Sequence, residues 1–186
     1  IQSGDAIAQI LFGEYNPSGK LPMTFPRSVG QVPIYYNHYS TGRPGPKTEV
    51  FWSHYTDETN KPLYPFGYGL SYTKFDYSKL KIDDADPSKI KVSVSVKNSG
   101  KLSVEEIVQL YIRDMTASIV RPVKELKGFQ KIKLDAGEVK QVDFLLTGAE
   151  LGFYNSKGEF IVEPGVFKIM VGTNSEKGIT GQFTKK

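Results

Sequence analysis

Two histidines, one tryptophan and no cysteine bound the chemistry open to this chain of 186 residues. His38 and His54 stand sixteen positions apart with no third ligand suggested beside them, and two imidazoles alone do not make a zinc site. Without cysteine there is no disulfide framework, no thiolate metal centre and no sulfur nucleophile, so neither a metal nor another cofactor is expected. The acids of the same stretch are Glu49, Asp57 and Glu58. Asp57 and Glu58 are adjacent within Thr56-Asp57-Glu58-Thr59-Asn60, which reads as a solvated turn rather than a facing pair of carboxylates. Gly67 and Gly69 flank Tyr68. A phosphate-cradling loop would need a helix N-terminus or a Gly-Lys-Ser/Thr run after them, and neither follows. They are expected to serve a turn whose backbone conformations other residues avoid. Asn98-Ser99-Gly100 lacks the glycosylation acceptor pattern, and Asn16-Pro17-Ser18 is blocked by its proline.

Phe51, Trp52 and Tyr55 form a cluster of aromatics whose faces could stack on the apolar face of a ligand. The competing role, pinning their segment to a neighbouring domain, is favoured, since aromatics contribute apolar burial wherever they sit. The net charge of +4 comes from lysines spread along the predicted strands, among them Lys91, Lys97, Lys101, Lys124, Lys127, Lys131 and Lys133. That is a solvated basic surface guarding sheet edges, not a nucleic-acid footprint. No apolar run approaches the roughly 20 residues a membrane span needs.

The elements around these residues fall into three compositions. Ile7, Ile10 and Leu11 recur at helical spacing, with Ser3 or Asp5 as a start signal and Gly13 as a stop. After the turn Asn16-Pro17-Ser18-Gly19, alternation of Leu21, Met23 and Phe25 predicts a short strand over Lys20–Phe25, poorly paired because of Pro22. Residues 27–74 then form a proline- and glycine-punctuated connector loaded with Tyr35, Tyr36, Tyr39, Phe51, Trp52, Tyr55, Tyr64, Phe66 and Tyr68. Flexible linkers are poor in such groups, so the connector is expected to lie over the surfaces on either side of it. From Phe75 onward the period is two: Ile90, Val92, Val94 and Val96 alternate with Lys91, Ser93, Ser95 and Lys97. Val108, Leu110 and Ile112 alternate with Gln109, Tyr111 and Arg113, which places Tyr111 on an outer face. Further strands are predicted at Phe75–Ile82, Leu126–Leu134, Val139–Leu146, Glu159–Val162 and Val166–Val171. About seven short strands at this spacing make an antiparallel β-sandwich of immunoglobulin or fibronectin-III type, and the absence of cysteine excludes the antibody variant.

Five stretches in this order resemble the C-terminal region of family 3 glycoside hydrolases. Leu11-Phe12-Gly13-Glu14-Tyr15-Asn16-Pro17-Ser18-Gly19-Lys20-Leu21-Pro22-Met23-Thr24-Phe25-Pro26 resembles the end of that family's second catalytic domain. Tyr64-Pro65-Phe66-Gly67-Tyr68-Gly69-Leu70-Ser71-Tyr72-Thr73 resembles the passage into its third. Val96-Lys97-Asn98-Ser99-Gly100 with Val108-Gln109-Leu110-Tyr111-Ile112, then Arg121-Pro122-Val123-Lys124-Glu125-Leu126-Lys127-Gly128-Phe129, then Glu163-Pro164-Gly165 with Val171-Gly172 resemble its fibronectin-III-like domain. The resemblance implies three parts: residues 1–26 as the remnant of an α/β sandwich catalytic domain, 27–74 as the connector, and 75–186 as the β-sandwich.

It also implies a parent β-glucosidase-type enzyme that removes terminal non-reducing β-linked sugars with retention, using two carboxyl groups roughly 5 Å apart. In that family the nucleophile is an aspartate of a barrel, and the acid/base glutamate precedes the Leu-Phe-Gly stretch. Neither role transfers to a residue here, so no catalytic residue is expected in this chain and the chain alone is expected to be inactive. A chain opening on Ile1 is expected to be cut from something longer. The partners implied are the parent's barrel and α/β domains and, through them, an oligo- or disaccharide. Loops in the connector's position reach the active-site rim in the family, so Phe51, Trp52 and Tyr55 are carried as candidate rim residues. The family implies a periplasmic or secreted location. The other function considered is an independent carbohydrate-binding or adhesion module, which needs an exposed aromatic row; the outward strand positions are mostly Lys, Ser, Thr and Gln, with Tyr111 the exception.

Overall fold

Alternating valines build the first half of the sandwich. In the computed structural model, which describes residues 2–43, 51 and 53–186, strand β2 (Ile90–Asn98) buries Ile90, Val92, Val94 and Val96 on one face and leaves its lysines on the other. It pairs antiparallel with β1 (Phe75–Asp83) and β5 (Val139–Leu146), giving a three-stranded sheet of order β1-β2-β5. The facing sheet has the order β4-β3-β8-β9, from β3 (Val104–Asp114), β4 (Glu125–Leu134), β8 (Gly165–Gly172) and β9 (Gly178–Lys185). A two-stranded ribbon of β6 (Phe153–Tyr154) and β7 (Phe160–Ile161) spans the long connection from β5 to β8.

The inner faces meet in one core. Val92, Val94, Val142 and Phe144 of the smaller sheet pack against Val108, Leu110, Ile112, Ile169 and Val171 of the larger. Each fully buried side chain of this kind contributes roughly 1.5–3 kcal/mol. Phe167 and Phe183 stack 5.4 Å apart between β8 and β9. The fold is thus the mainly β, fibronectin-III-like sandwich predicted.

Several elements differ from the sequence reading. Two strands were not predicted, β6 and β9, and neither was the single-turn helix α2 (Gly148–Leu151). Thr147 starts α2 through a capping box with Glu150. The run Gly178-Ile179-Thr180-Gly181-Gln182-Phe183 hides a strand because two glycines break its pattern. Gly178 is needed there: a Cβ on it would sit 2.6 Å from the Val171 carbonyl oxygen of β8.

At the other end of the chain, α1 spans Ser3–Leu11 and stops at Gly13, whose φ of 78° is the left-handed turn expected of it. Its N-cap is Gln2 with no side-chain bond, so neither Ser3 nor Asp5 caps it. No strand forms over Lys20–Phe25, and only Phe25 makes a bridge, to Tyr64. Pro22 removes a donor between the bonded residues Leu21 and Phe25, so the ladder cannot close.

Candidate functional site

The outer face of β3 is covered by Tyr36, Phe66 and Gly67, brought onto it from earlier in the chain. Tyr111 is fully buried there rather than outward and wet as predicted, because the connector covers it. Tyr36 meets the Tyr111 ring edge-on at 5.9 Å and itself stacks on Phe66 at 4.2 Å. The Tyr111 hydroxyl donates to Gln109 Oε1 at 2.5 Å, and Gln109 Nε2 donates to the carbonyls of Gly67 (3.0 Å) and Thr173 (2.7 Å). Every polar atom of the Gln109 amide is thereby spoken for, as burial demands. Burial also pushes the Tyr111 phenol up, with Tyr36 adding to it. Backbone bonds extend the seam: Val123 N–H donates to His38 O, Ser175 N–H to Phe66 O, and Tyr39 bridges Pro122.

The segment after α1 threads under the same seam. Leu21 N–H donates to Tyr68 O and Gly67 N–H to Leu21 O, both at 2.8 Å, while Phe25 N–H donates to Tyr64 O at 2.9 Å. Asn16 Oδ1 accepts from Ser71 Oγ and from the Tyr72 amide. Gly67 has a φ of 77°, which only glycine adopts freely. Gly69 needs no such φ; its role is close approach, since a Cβ there would lie 2.5 Å from Gly19 O.

Away from this seam the surface is apolar and open. Leu11, Phe12, Tyr15, Met23, Val29, Val32, Tyr35, Leu63 and Leu70 are all exposed, Phe12 at 83%. Leu21, Phe25, Tyr64, Tyr68 and Leu70 line an open cleft of about 530 Å³ between the two segments. The Phe25 and Tyr64 rings meet edge-on at 6.4 Å, and Tyr64 and Tyr68 lie 4.9 Å apart.

Phe51 is 81% exposed, and Tyr55 is partly covered, its amide bonded to Asn60 Oδ1. Trp52 and Glu49 lie outside the described residues. Asp57 is exposed, while Glu58 is half-buried and accepts from the Thr59 amide. His38 is exposed and contacts the Tyr39 carbonyl; among the described residues no group of three or more His, Cys, Asp and Glu side chains gathers as a metal site would.

Two buried acids, Glu106 and Asp114, were missed by the sequence reading, although the alternation of Val108, Leu110 and Ile112 extends to both and places them on the inner face. Both project from the core face of β3, eight residues apart, which is about 26 Å along a strand. Burial raises both carboxyls, opposed by Lys20 at Glu106 and by Thr116 and Arg121 at Asp114. Retaining hydrolysis needs roughly 5 Å between its carboxyl groups, so these two cannot serve as such a pair.

The profile of the glycosyl hydrolase family 3 C-terminal domain matches residues 1–72, and that of a fibronectin type III-like domain matches residues 106–175. The chain belongs to glycosyl hydrolase family 3. It is 48% identical over 98% of its length to a protein named periplasmic beta-glucosidase from Salmonella typhimurium, covering 24% of that protein. It is 45% identical over 92% of its length to thermostable beta-glucosidase B of Acetivibrio thermocellus, again covering 24%. The crystal structure of a beta-glucosidase from Listeria innocua in complex with isofagomine superposes with a TM-score of 0.92 at 45% identity, over 97% of this chain and 26% of that one. The chain thus spans about a quarter of the length of the relatives it matches.

Proposed function

We propose that the chain is the C-terminal supporting part of a retaining β-glycosidase of the β-glucosidase type, with the two reacting carboxyl groups lying outside it. In this reading residues 1–26 end the α/β catalytic domain, 27–74 connect, and 75–186 form the sandwich that buttresses both. The observation that carries it is the apolar surface over α1, the threaded segment and the connector, from Leu11 and Phe12 to Leu70, left open in this chain. Apolar side chains gathered around one open cleft, as Leu21, Phe25, Tyr64, Tyr68 and Leu70 are, mark a place where another body packs, and the barrel and α/β domain of a parent enzyme supply that body. The parent would remove terminal β-linked sugars from an oligo- or disaccharide. A relative that carries "periplasmic" in its name supports a periplasmic or secreted location. The purified chain is expected to release no aryl alcohol from aryl β-glucosides above the buffer rate, and to enhance the fluorescence of a dye for apolar surface. Turnover that follows the chain through purification would overturn the reading.

The exposure of Phe51 among the described residues favours a second role for the connector, since an exposed ring is free to meet a ligand. In this role Phe51, Trp52 and Tyr55 form a rim that stacks on the leaving sugar. Phe51→Ala or Trp52→Ala in the intact enzyme is then expected to raise KM for a disaccharide by about tenfold, in line with about 1–3 kcal/mol per stacked ring lost. Unchanged KM and kcat would remove the role.

A further inference from the structure

One buried ion pair crosses between the two matched domains. Glu106 projects from β3 toward the core with 2% of its side chain exposed, and Lys20, at 12%, reaches it from the segment after α1. The Lys20 ammonium donates to both Glu106 oxygens, at 3.1 and 3.0 Å. Tyr77 of the opposite sheet donates its hydroxyl to Glu106 Oε1 at 3.2 Å. Lys20 lies within the part matched as the family 3 C-terminal domain, and Glu106 opens the part matched as fibronectin-III-like.

A sandwich core has no use for a carboxylate of its own. Taking two charges out of water costs several kcal/mol per ion, and replacing a buried ion pair with well-packed apolar groups is often neutral or stabilising. Breaking such a pair by removing one partner is strongly destabilising, because the other charge is left buried alone. A buried pair therefore adds little to stability as a pair, yet it penalises any arrangement in which the two charges do not meet. Its best-attested use is to fix register.

The surroundings of Lys20 give that register something to act on. Its neighbours Gly19 and Leu21 are the residues the connector grips: Gly69 packs against the Gly19 carbonyl, and Leu21 exchanges backbone bonds with Gly67 and Tyr68. Moving Lys20 by one residue along the chain would turn its side chain away from Glu106 and slide Leu21 out of the Gly67–Tyr68 bonds. The same shift would carry α1 and the exposed apolar face with it.

We propose that Lys20 and Glu106 are a positioning pair that sets how the catalytic part of the parent enzyme seats on the sandwich, and so the shape of the cleft in which the sugar is cut. The pair touches no substrate; it acts through the segment it pins. The proposal rests on the supporting role argued above.

Two measurements test it, and the first does not depend on that role. In this chain, Lys20→Met and the uncharged double variant Lys20→Met/Glu106→Gln are followed by amide hydrogen exchange. The Leu21 and Gly67 amides are expected to exchange at least about tenfold faster in both variants, while Val94 and Val96 of the core strand keep their protection. Unchanged exchange at Leu21 and Gly67 would overturn the proposal, whatever the chain's own activity. In the intact parent enzyme, the double variant is expected to recover the thermal stability lost in the single one, because no charge is left buried alone. Its kcat for a disaccharide is expected to stay down by about tenfold or more, as misplacement of a catalytic group does. Recovery of kcat together with stability would show a merely structural pair and overturn the proposal. Should Lys20→Met fail to fold, the double variant alone decides both arms.

Discussion

Replacing Tyr111 with alanine is expected to lower the stability of the chain by about 3–5 kcal/mol, the range for removing a large aromatic from a filled site. The ring is fully buried on the side of β3 that a lone sandwich would show to water. What it holds is the connector: Tyr36 edge-on, Phe66 stacked behind Tyr36, and the Lys124 ammonium 5.9 Å from the ring centre. Truncation leaves a cavity under Tyr36 and takes the donor from Gln109 Oε1, so the amide that bonds the Gly67 and Thr173 carbonyls loses its third anchor. Tyr111→Phe keeps the ring and loses the hydroxyl, and is expected to cost about 1 kcal/mol. Urea unfolding of the three proteins checks the order. A loss below about 1 kcal/mol for Tyr111→Ala would mean that the connector is not held at this point, and with it would go the account of why β3 is buried on both faces.

How much of this was legible depends on how far each residue's partners lie along the chain. β2 could be read from its own letters, because one face meets the core and the other meets water, and Ile90, Val92, Val94 and Val96 record that directly. The alternation in β3 reads the same way, yet Gln109 and Tyr111 are buried, because a strand's pattern says nothing of what is laid over its outer face. Those two residues are polar enough to pass for surface, and they are covered by a connector 42 and 75 positions upstream, counting Gly67 to Gln109 and Tyr36 to Tyr111. Lys20 and Glu106 are 86 positions apart; the alternation of β3 puts Glu106 on the inner face, but nothing local says which cation meets it there. Lys20–Phe25 fails as a strand for a local reason that the sequence contains: Pro22 has no N–H to give to a ladder. β9 fails for the opposite reason, since Gly178 and Gly181 suppress the pattern while close approach to the β8 backbone requires the first of them. The division into a catalytic-domain end, a connector and a sandwich came from resemblance rather than from periodicity, which marks only where the period changes to two.

Gly67→Ala is expected to cost about 2–5 kcal/mol, from two separable sources. The first is conformational: at a φ of 77° an alanine pays about 1–2 kcal/mol that glycine does not. The second is contact. A Cβ on Gly67 would overlap Gln109 Oε1 and come within 2.9 Å of the Tyr111 hydroxyl oxygen, and those atoms are bonded to each other and have nowhere dry to go. Pushing them apart leaves buried polar groups unpaired, at about 1–3 kcal/mol. Gly137 provides the control, because it has the same φ of 77° with no atom within 4 Å of the added Cβ. Gly137→Ala should therefore pay the conformational cost alone. Urea midpoints for the two variants, with proteolysis of the connector as a second readout, distinguish the sources: Gly67→Ala is expected to be at least about twice as damaging and to open residues 53–72 to cleavage before the sandwich melts. Equal losses would mean that the Gln109–Tyr111 pair yields at no cost. In that case the connector would be draped over the sandwich rather than clamped to it, and a body packed on the connector could not take its position from β3.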